Sequence, residues 1–388
     1  MTQRLFIFAG EKSGDLLGSF LLEALKKSFS VSSIEGVCGP EMRKQGIASP
    51  FRAEDFEMHG LSDILGSISK LVKQFKEVKS YLLQTKPDAI VFIDYPGFNL
   101  RMAKSLRKFG YTGKLIQYVS PTVWAWGSRR IHHMANTLDL LMTVYPFEQE
   151  FFARTSLPVE YVGNPINEII QKHRYDSDWA GLLGIKDKNK KDLIGIFPGS
   201  RKKEIQNNLP YQLKAAEMLK KEDPRLSFAI SCAHEKTIPF MYPILRNNSL
   251  KFNEDIFLVP KVYSYELMRD CHSAIAKAGT VTLELALHHR PTAVIYKLSS
   301  LNRLFARFIL RLHLPHYCIV NILNKKTVFP ELIEKGLSAK NLYRLMKSLH
   351  GETETRRACM EECRKLSILL QENDASERAA QLILELIA

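Results

Sequence analysis

No run of eighteen apolar residues interrupts this 388-residue chain, so a membrane-crossing helix is not expected. Met1-Thr-Gln-Arg leads straight into the strand-like Leu5–Ala9, without the charged-then-apolar order of a secretory leader, and no leader is expected either. Cysteine is scarce. Cys38, Cys232, Cys271, Cys318, Cys359 and Cys363 form no C-x-x-C and have no paired histidine at metal spacing, which reads as reduced cytoplasmic thiols and no bound metal. Acidic side chains are also in deficit, 41 Asp and Glu against 55 Lys and Arg, for a formal charge of +14. Such a surface attracts an anionic partner: nucleic acid, a phospholipid surface or phosphorylated substrates. The chain lacks zinc-finger spacing, an RNP-type aromatic motif and a disordered basic tail, so nucleic acid is not an expected partner.

What is present is ordinary for a globular protein, 45% hydrophobic and 25% charged residues, in a length that one core does not usually support. The first half alternates apolar strand-like runs with helix-like segments, the βα rhythm of a parallel sheet. Its strands are expected at Leu5–Ala9, Ala89–Ile93, Leu115–Val119, Leu138–Val144 and Val159–Val162. Composition turns polar over Asn167–Lys191, and a second series follows at Leu193–Phe197, Ser227–Ser231, Ile256–Val259, Ser273–Ala276 and Thr292–Tyr296. Two doubly wound α/β domains are expected, with ligands held at the carboxyl ends of their strands and a cleft between the domains as the site.

The motifs cluster at those strand ends. In Ala276-Lys-Ala-Gly-Thr-Val-Thr-Leu-Glu284, a strand passes through a glycine turn into a helix, whose free N–H groups and dipole favour a phosphate. Glu284 lies one turn beyond Thr280 on the same face, where a carboxylate could accept from a ribose diol. An ordinary capped helix is the alternative. Ala9-Gly-Glu-Lys-Ser-Gly-Asp15 is a second such turn, with Ser13 and Asp15 able to cap; its spacing is not G-x-G-x-x-G, so no dinucleotide fingerprint is present. Asp94 follows a fully apolar strand, either as a proton acceptor or as a helix cap with Pro96 behind it. In Phe197-Pro-Gly-Ser-Arg-Lys-Lys-Glu204, Arg201 could fork onto a diphosphate, while Lys202 and Lys203 read as solvated. Trp124 and Trp126 stand beside Arg129 and Arg130, at a cleft, a bilayer interface or a core edge. Two segments are basic and amphipathic. One is Ile64–Leu83, with Leu71 and Phe75 among interspersed lysines; the other is Asn302–His313, with Phe305 and Phe308 beside a stripe of Arg303, Arg307 and Arg311. Such helices can lie on an anionic membrane or admit acyl chains, although a core-facing helix with a cationic outer face is the commoner fate.

Taken in order, Gly10–Asp15, Asp94–Leu100, Ser120–Trp126, Pro146-Phe-Glu148, Val162-Gly-Asn-Pro165, Pro198–Arg201, Ala278–Glu284 and Val328–Leu332 closely resemble the lipid-A-disaccharide synthase family over almost the whole chain. The resemblance implies a GT-B glycosyltransferase with domains at 1–168 and 169–377 and a final helix, 378–388, returning to the N-terminal domain or exchanged within a homodimer. It implies inverting transfer from UDP-2,3-diacylglucosamine to 2,3-diacylglucosamine 1-phosphate, a β-1,6 linkage and release of UDP, without a cofactor or metal, at the inner face of the cytoplasmic membrane. Asp94 would be the base and Arg201 the diphosphate partner. Glu11, Ser13, Gly14, Asp15, Gly199, Ser200, Gly279, Thr280, Thr282, Glu284 and Asn321 would contact substrates, with acyl or membrane contact at Leu71, Phe75, Arg303, Phe305, Arg307, Phe308 and Arg311. The sequence departs from the family at Ala278, Asn164 and Lys12, where Ser, His and Ala are usual. Another UDP-sugar enzyme of the same fold, an epimerase or peptidoglycan-precursor transferase, or a non-catalytic membrane-surface adapter are the competing readings.

Overall fold

Short, wholly apolar runs between amphipathic ones pair in parallel and are covered by helices, because a parallel strand buried on both faces leaves no place for a charged side chain. The computed structural model describes residues 3–27, 31–56, 64–123, 129–185, 192–297, 316–370 and 374–388. The basic stretch holding Arg303, Phe305, Arg307, Phe308 and Arg311, and the pair Trp124 and Trp126, lie outside the described residues. The chain divides into two units, Met1–Glu168 with Gln371–Ala388, and Ile169–Leu370.

The N-terminal unit contains β1 (Gln3–Phe8), α1 (Lys12–Lys26), β2 (Val31–Cys38), α2 (Pro40–Lys44), β3 (Ala48–Arg52), α3 (Ile64–Thr85), β4 (Ala89–Ile93), α4 (Pro96–Lys108), β5 (Lys114–Tyr118), α5 (Arg129–Ala135), β6 (Leu140–Thr143), α6 (Glu148–Phe152) and β7 (Val159–Tyr161), with α7 (Pro165–Lys172) leaving it. Its seven-stranded sheet has the order β3-β2-β1-β4-β5-β6-β7, with every neighbouring pair parallel. Strand order therefore reverses between β1 and β4, paired from Leu5↔Ala89 to Phe8↔Phe92. Doubly wound sheets open a ligand crevice beyond the carboxyl ends at such a reversal.

The C-terminal unit repeats the plan with α8 (Trp179–Leu182), β8 (Leu193–Phe197), α9 (Lys202–Glu222), β9 (Ser227–Ser231), α10 (Ile238–Arg246), β10 (Ile256–Val259), α11 (Ser264–Asp270), β11 (Ser273–Lys277), α12 (Thr280–Leu287), β12 (Thr292–Tyr296), α13 (Ile319–Asn324), β13 (Glu331–Ile333), α14 (Ala339–His350) and α15 (Glu354–Leu370). The six-stranded order β10-β9-β8-β11-β12-β13 reverses between β8 and β11, where Phe197 lies opposite Ala276. The last helix, α16 (Ala375–Ile387), belongs to the N-terminal unit. Buried Glu168 accepts from the backbone N–H of Ser376 (3.1 Å) and its hydroxyl (2.8 Å) at the start of that helix. The Gln3 side-chain amide donates to Ile387 O at its end (2.6 Å). No described helix is long and apolar enough to cross a membrane, and all six cysteines are free and buried.

Candidate active site

In the N-terminal unit, the turns after β1 and β4 meet. Ser13, exposed in the first turn of α1, donates its hydroxyl to Asp94 Oδ2 at 2.9 Å. Asp94 and Tyr95 both adopt left-handed backbone, with φ of 50° and 41°, which costs a non-glycine residue on the order of 1 kcal/mol or more. Two buried amides hold this turn. Asn99 Nδ2 donates to Asp94 O at 2.6 Å, and Gln117 Nε2 donates to Asp94 O at 3.0 Å and to Val119 O at 3.1 Å. Val119 is itself left-handed at φ 72°, so Gln117 pins two strained strand ends at once. Neither residue was assigned a role in the sequence analysis, although Asn99 falls within the Asp94–Leu100 motif and Gln117 is the one amide of β5.

Glycines fit the same turn closely. A Cβ at Gly10 would lie 2.9 Å from the Phe8 ring and 3.0 Å from the Tyr95 ring, and one at Gly14 would lie 3.3 Å from Ile93 O. Burial, then the nearby Glu11 carboxylate, push the Tyr95 phenol above its ordinary pKa. Asp15 does different work from that expected of it. It is buried, and its carboxylate accepts from Glu41 N (2.8 Å) and Met42 N (3.1 Å), capping α2 instead of facing a substrate. Gly39 is bound up with this cap, since a Cβ there would come within 2.4 Å of the Asp15 carboxylate.

Beside Asp94 an apolar groove of about 480 Å³ opens between α3 and α4, lined by Leu71, Val72, Phe75, Tyr95 and Phe98 with Lys76 and Lys79 among its walls. Phe98 anchors its floor, stacking on Phe8 at 4.8 Å and meeting Phe75 edge-on at 5.2 Å. Leu71 and Phe75, expected at an acyl or membrane contact, both line this groove, and Val72 next to them is 49% exposed.

In the C-terminal unit, the turns after β8 and β11 are joined by Glu204. Its carboxylate accepts from Ser200 N at 3.1 Å, pairs with Lys277 at 3.2 Å and lies 3.9 Å from Arg201. Burial raises this carboxyl, but the Lys277 ammonium, the Ser200 N–H and Arg201 outweigh it and leave its pKa below the ordinary value. Gly199 is required here: φ is 115°, and a Cβ would lie 2.7 Å from Glu204 Oε2. The Arg201 side chain is 84% exposed.

Gly279 is extended at φ 167°, open to any residue, and a Cβ there would meet nothing nearer than 3.9 Å. What glycine leaves is open space over the first N–H groups of α12, which have no partners inside the helix. Thr280 is exposed beside them. Thr282 is buried, with its hydroxyl donating back to Gly279 O at 2.7 Å, and so caps the turn from within. Glu284, half-buried, accepts from the Tyr265 hydroxyl at 3.1 Å. Burial raises its pKa, with Tyr265 and Lys261 opposing. Behind it, His288 Nδ1 lies 2.7 Å from Glu284 O and its Nε2 2.8 Å from the Tyr175 hydroxyl. Burial pushes His288 down to about 4, so the ring is neutral: Nδ1–H donates to the carbonyl and Nε2 accepts from Tyr175. Tyr265 and Tyr175 carried no motif, because the contact of Tyr265 with the Glu284 carboxylate and of Tyr175 with His288 is set by packing.

Asn321 is buried and fully used within its own loop. Its Oδ1 accepts from Val328 N and Phe329 N at 2.8 Å each, and its Nδ2 donates to Phe329 O and Glu331 Oε1 at 2.7 Å each. It shapes the loop before β13, and the substrate contact expected of it is not available. Asn164, one of the departures from the family pattern, ties Val144 O to the start of α7 through bonds of 3.0 Å. Ala278 is buried, and Lys12 is the exposed first residue of α1.

Two parallel sheets, each reversing order beside a strand-turn-helix, define the GT-B class. The crystal structure of UDP-GlcNAc 2-epimerase from Neisseria meningitidis bound to UDP-GlcNAc has this fold, at a TM-score of 0.66 and 12% identity over 99% of this chain and 100% of that one; at that identity the likeness speaks for the fold alone. A family model described as lipid-A-disaccharide synthetase matches residues 5–386, and the chain belongs to that family. A lipid-A-disaccharide synthase of Chlamydia pneumoniae is 33% identical over 365 residues, 93% of this chain and 59% of the relative. One of Trichlorobacter lovleyi is 31% identical over 385 residues, 99% and 98% of the two chains. The chain spans only 51% to 59% of the length of the chlamydial relatives, but nearly all of the Trichlorobacter one.

Proposed function

We propose that this protein joins UDP-2,3-diacylglucosamine to 2,3-diacylglucosamine 1-phosphate, with inversion, to give the β-1,6-linked disaccharide 1-phosphate and UDP. The observation that carries the reading is the Ser13–Asp94 pair at the switch point of the N-terminal sheet, one residue from the wall of an apolar groove, in a chain of this family. Ser13 donates to one Asp94 oxygen and so orients the carboxylate; the other oxygen takes the proton of the acceptor 6-hydroxyl as that oxygen attacks the anomeric carbon. The bond to the UDP oxygen breaks on the opposite face, which is what inverts the centre. Charge growing on the leaving diphosphate is met by Arg201 and by the N-terminal amides of α12 at Gly279 and Thr280. Glu284, oriented by Tyr265, accepts from the ribose hydroxyls. Leu71 and Phe75 contact an acyl chain, and the exposed Val72 beside them suits a helix resting on an anionic membrane surface.

The test is acceptor-dependent UDP release by the wild-type protein and Asp94→Ala in parallel. The expected result is release that needs the acylated acceptor and falls by two to four orders of magnitude in the variant, the usual scale for losing a general base. Release of UDP without acceptor would point to another UDP-sugar reaction, and equal rates in both proteins would remove Asp94 from the chemistry. Since Arg201 and α12 supply the charge stabilisation, EDTA is expected to leave the rate unchanged.

A further inference from the structure

Lys277, the last residue of β11, puts an ammonium at the base of the C-terminal turns. Phe197 at the end of β8 lies opposite Ala276, so the turns after these two strands begin side by side, and the Lys277 side chain crosses to Glu204 Oε1 at 3.2 Å. That side chain is 17% exposed, against 84% for Arg201, which approaches the same carboxylate at 3.9 Å. One carboxylate thus serves two cations, an inner and an outer one. The inner ammonium also lies over the Tyr296 ring at the end of β12, 5.3 Å from its centroid. Shielded from water, it acts on a neighbouring charge more strongly than a solvated cation does. It also borders the space over Gly279: among the described residues, the side-chain atom nearest to the place of a Gly279 Cβ is Lys277 Nζ, at 3.9 Å. A phosphate filling that space comes within reach of the ammonium.

We propose that Lys277 is a catalytic cation for the departing diphosphate, held on Glu204 until the glycosyl bond breaks and then shared with the phosphate oxygen which that bond leaves. This rests on the reading of Arg201 and the Gly279–Thr280 turn as the diphosphate site. In the intact donor each phosphate carries one charge, and Arg201 with the α12 amides meets them. Breaking the bond from anomeric carbon to oxygen leaves the electron pair on the terminal phosphate, which gains a second charge, while the proton taken from the acceptor resides on Asp94. Lys277 keeps its own proton throughout. The new charge draws the ammonium away from a carboxylate that Ser200 N (3.1 Å) and Arg201 continue to hold. An interaction that strengthens as charge develops lowers the barrier, whereas one equally strong in the bound donor does not. Free UDP carries the same terminal phosphate, so its affinity reports this contact without any reaction.

The test uses the full chain with Lys277→Met, Lys277→Arg and the double variant Glu204→Gln/Lys277→Met, in which the glutamine oxygen can still accept from Ser200 N and no carboxylate is left without its cation. Calorimetric affinities for UDP and for the intact UDP-sugar are measured without acceptor, and the single-turnover rate of UDP release with it. Lys277→Met is expected to weaken UDP binding and slow the single turnover by about tenfold or more, the scale of one charged hydrogen bond, while affinity for the intact donor changes little. The double variant is expected to match Lys277→Met, and Lys277→Arg to recover part of both losses. Restored UDP affinity and rate in the double variant overturn the proposal, because Lys277 would then serve only to neutralise Glu204. Equal weakening of UDP and donor in Lys277→Met overturns it as well, since a misshapen turn gives that result. Acceptor-dependent release that needs Asp94 but is indifferent to Lys277 removes the lysine from the chemistry and leaves the transfer reading intact. A Lys277-dependent preference for UDP over the intact donor, with release that needs no acceptor, does the reverse.

Discussion

Glu284 shows how much a single side chain depends on neighbours that its sequence position does not reveal. As a lone helical glutamate it would be a solvated charge; here the Tyr265 hydroxyl fixes one of its oxygens while burial raises its pKa. Tyr265→Phe is expected to raise KM for the UDP-sugar severalfold with little change in kcat, since it loosens a ground-state contact without touching the reacting atoms. For the same reason donor binding should weaken as pH falls through the pKa of Glu284, which burial raises above the ordinary carboxyl value, because a protonated carboxyl accepts poorly; following UDP binding as the pH is lowered checks this. Gly279 and Gly199 make a second contrast. Gly199→Ala forces a Cβ into a left-handed turn against Glu204 and is expected to destabilise by roughly 1–3 kcal/mol. Gly279→Ala has room and an ordinary φ, so its urea midpoint should barely move while its UDP affinity falls, if the open space is kept for phosphate.

At the scale of elements, each sheet has a buried glutamine binding the carboxyl ends of two central strands. Gln117 donates to Asp94 O and Val119 O, and Gln212 of α9 donates to Phe197 O at 3.4 Å and Ile275 O at 3.2 Å. These bonds fix the turns that carry the proposed base and diphosphate contact, so Gln117→Leu is expected to lower kcat more than it lowers stability, and Asn99→Leu likewise. The loop before β13 depends on Asn321 in the same manner. Asn321→Ala would strand Val328 N, Phe329 N and Phe329 O without their partner, and is expected to lower unfolding stability by about 3 kcal/mol in urea titrations. The expectation that Asn321 meets the substrate came from its place in an ordered set of motifs. A buried amide that shapes a site and one that touches a ligand look identical in a sequence.

At the scale of the molecule, α16 joins the unit that begins the chain, held by Glu168 at its start and Gln3 at its end. A homodimer exchanging this helix would keep the same contacts between two copies, and light scattering across a range of concentrations tests it through the mass. Stability as a whole should respond to pH through His288. Its folded pKa, near 4, lies below the unfolded value of about 6.5, so the unfolded chain binds more protons between those values. The stabilisation is complete above about pH 6.5 and declines as pH falls toward 4, by on the order of 1–2 kcal/mol at pH 5 for this one ring. Comparing urea midpoints of wild type and His288→Asn at pH 7 and pH 5 should show a smaller pH difference in the variant.

The sequence by itself determined the two parallel sheets, because buried strands such as Ala89–Ile93 and Leu193–Phe197 must be apolar on both faces, and it marked the strand-end turns holding Asp94, Arg201 and Glu284. These are local properties, readable from periodicity and from glycine, proline and hydroxyl spacing. Only the tertiary structure decided which polar groups at those turns face outward and which serve the fold. Ser13 and Asp94 meet because β1 and β4 are neighbours though 81 residues separate the two side chains, whereas Asp15, Thr282 and Asn321 satisfy nearby backbone groups and turn inward. The difference lies in burial: a polar atom removed from water takes the nearest partner, and which partner is nearest is a property of packing that no spacing along the chain records.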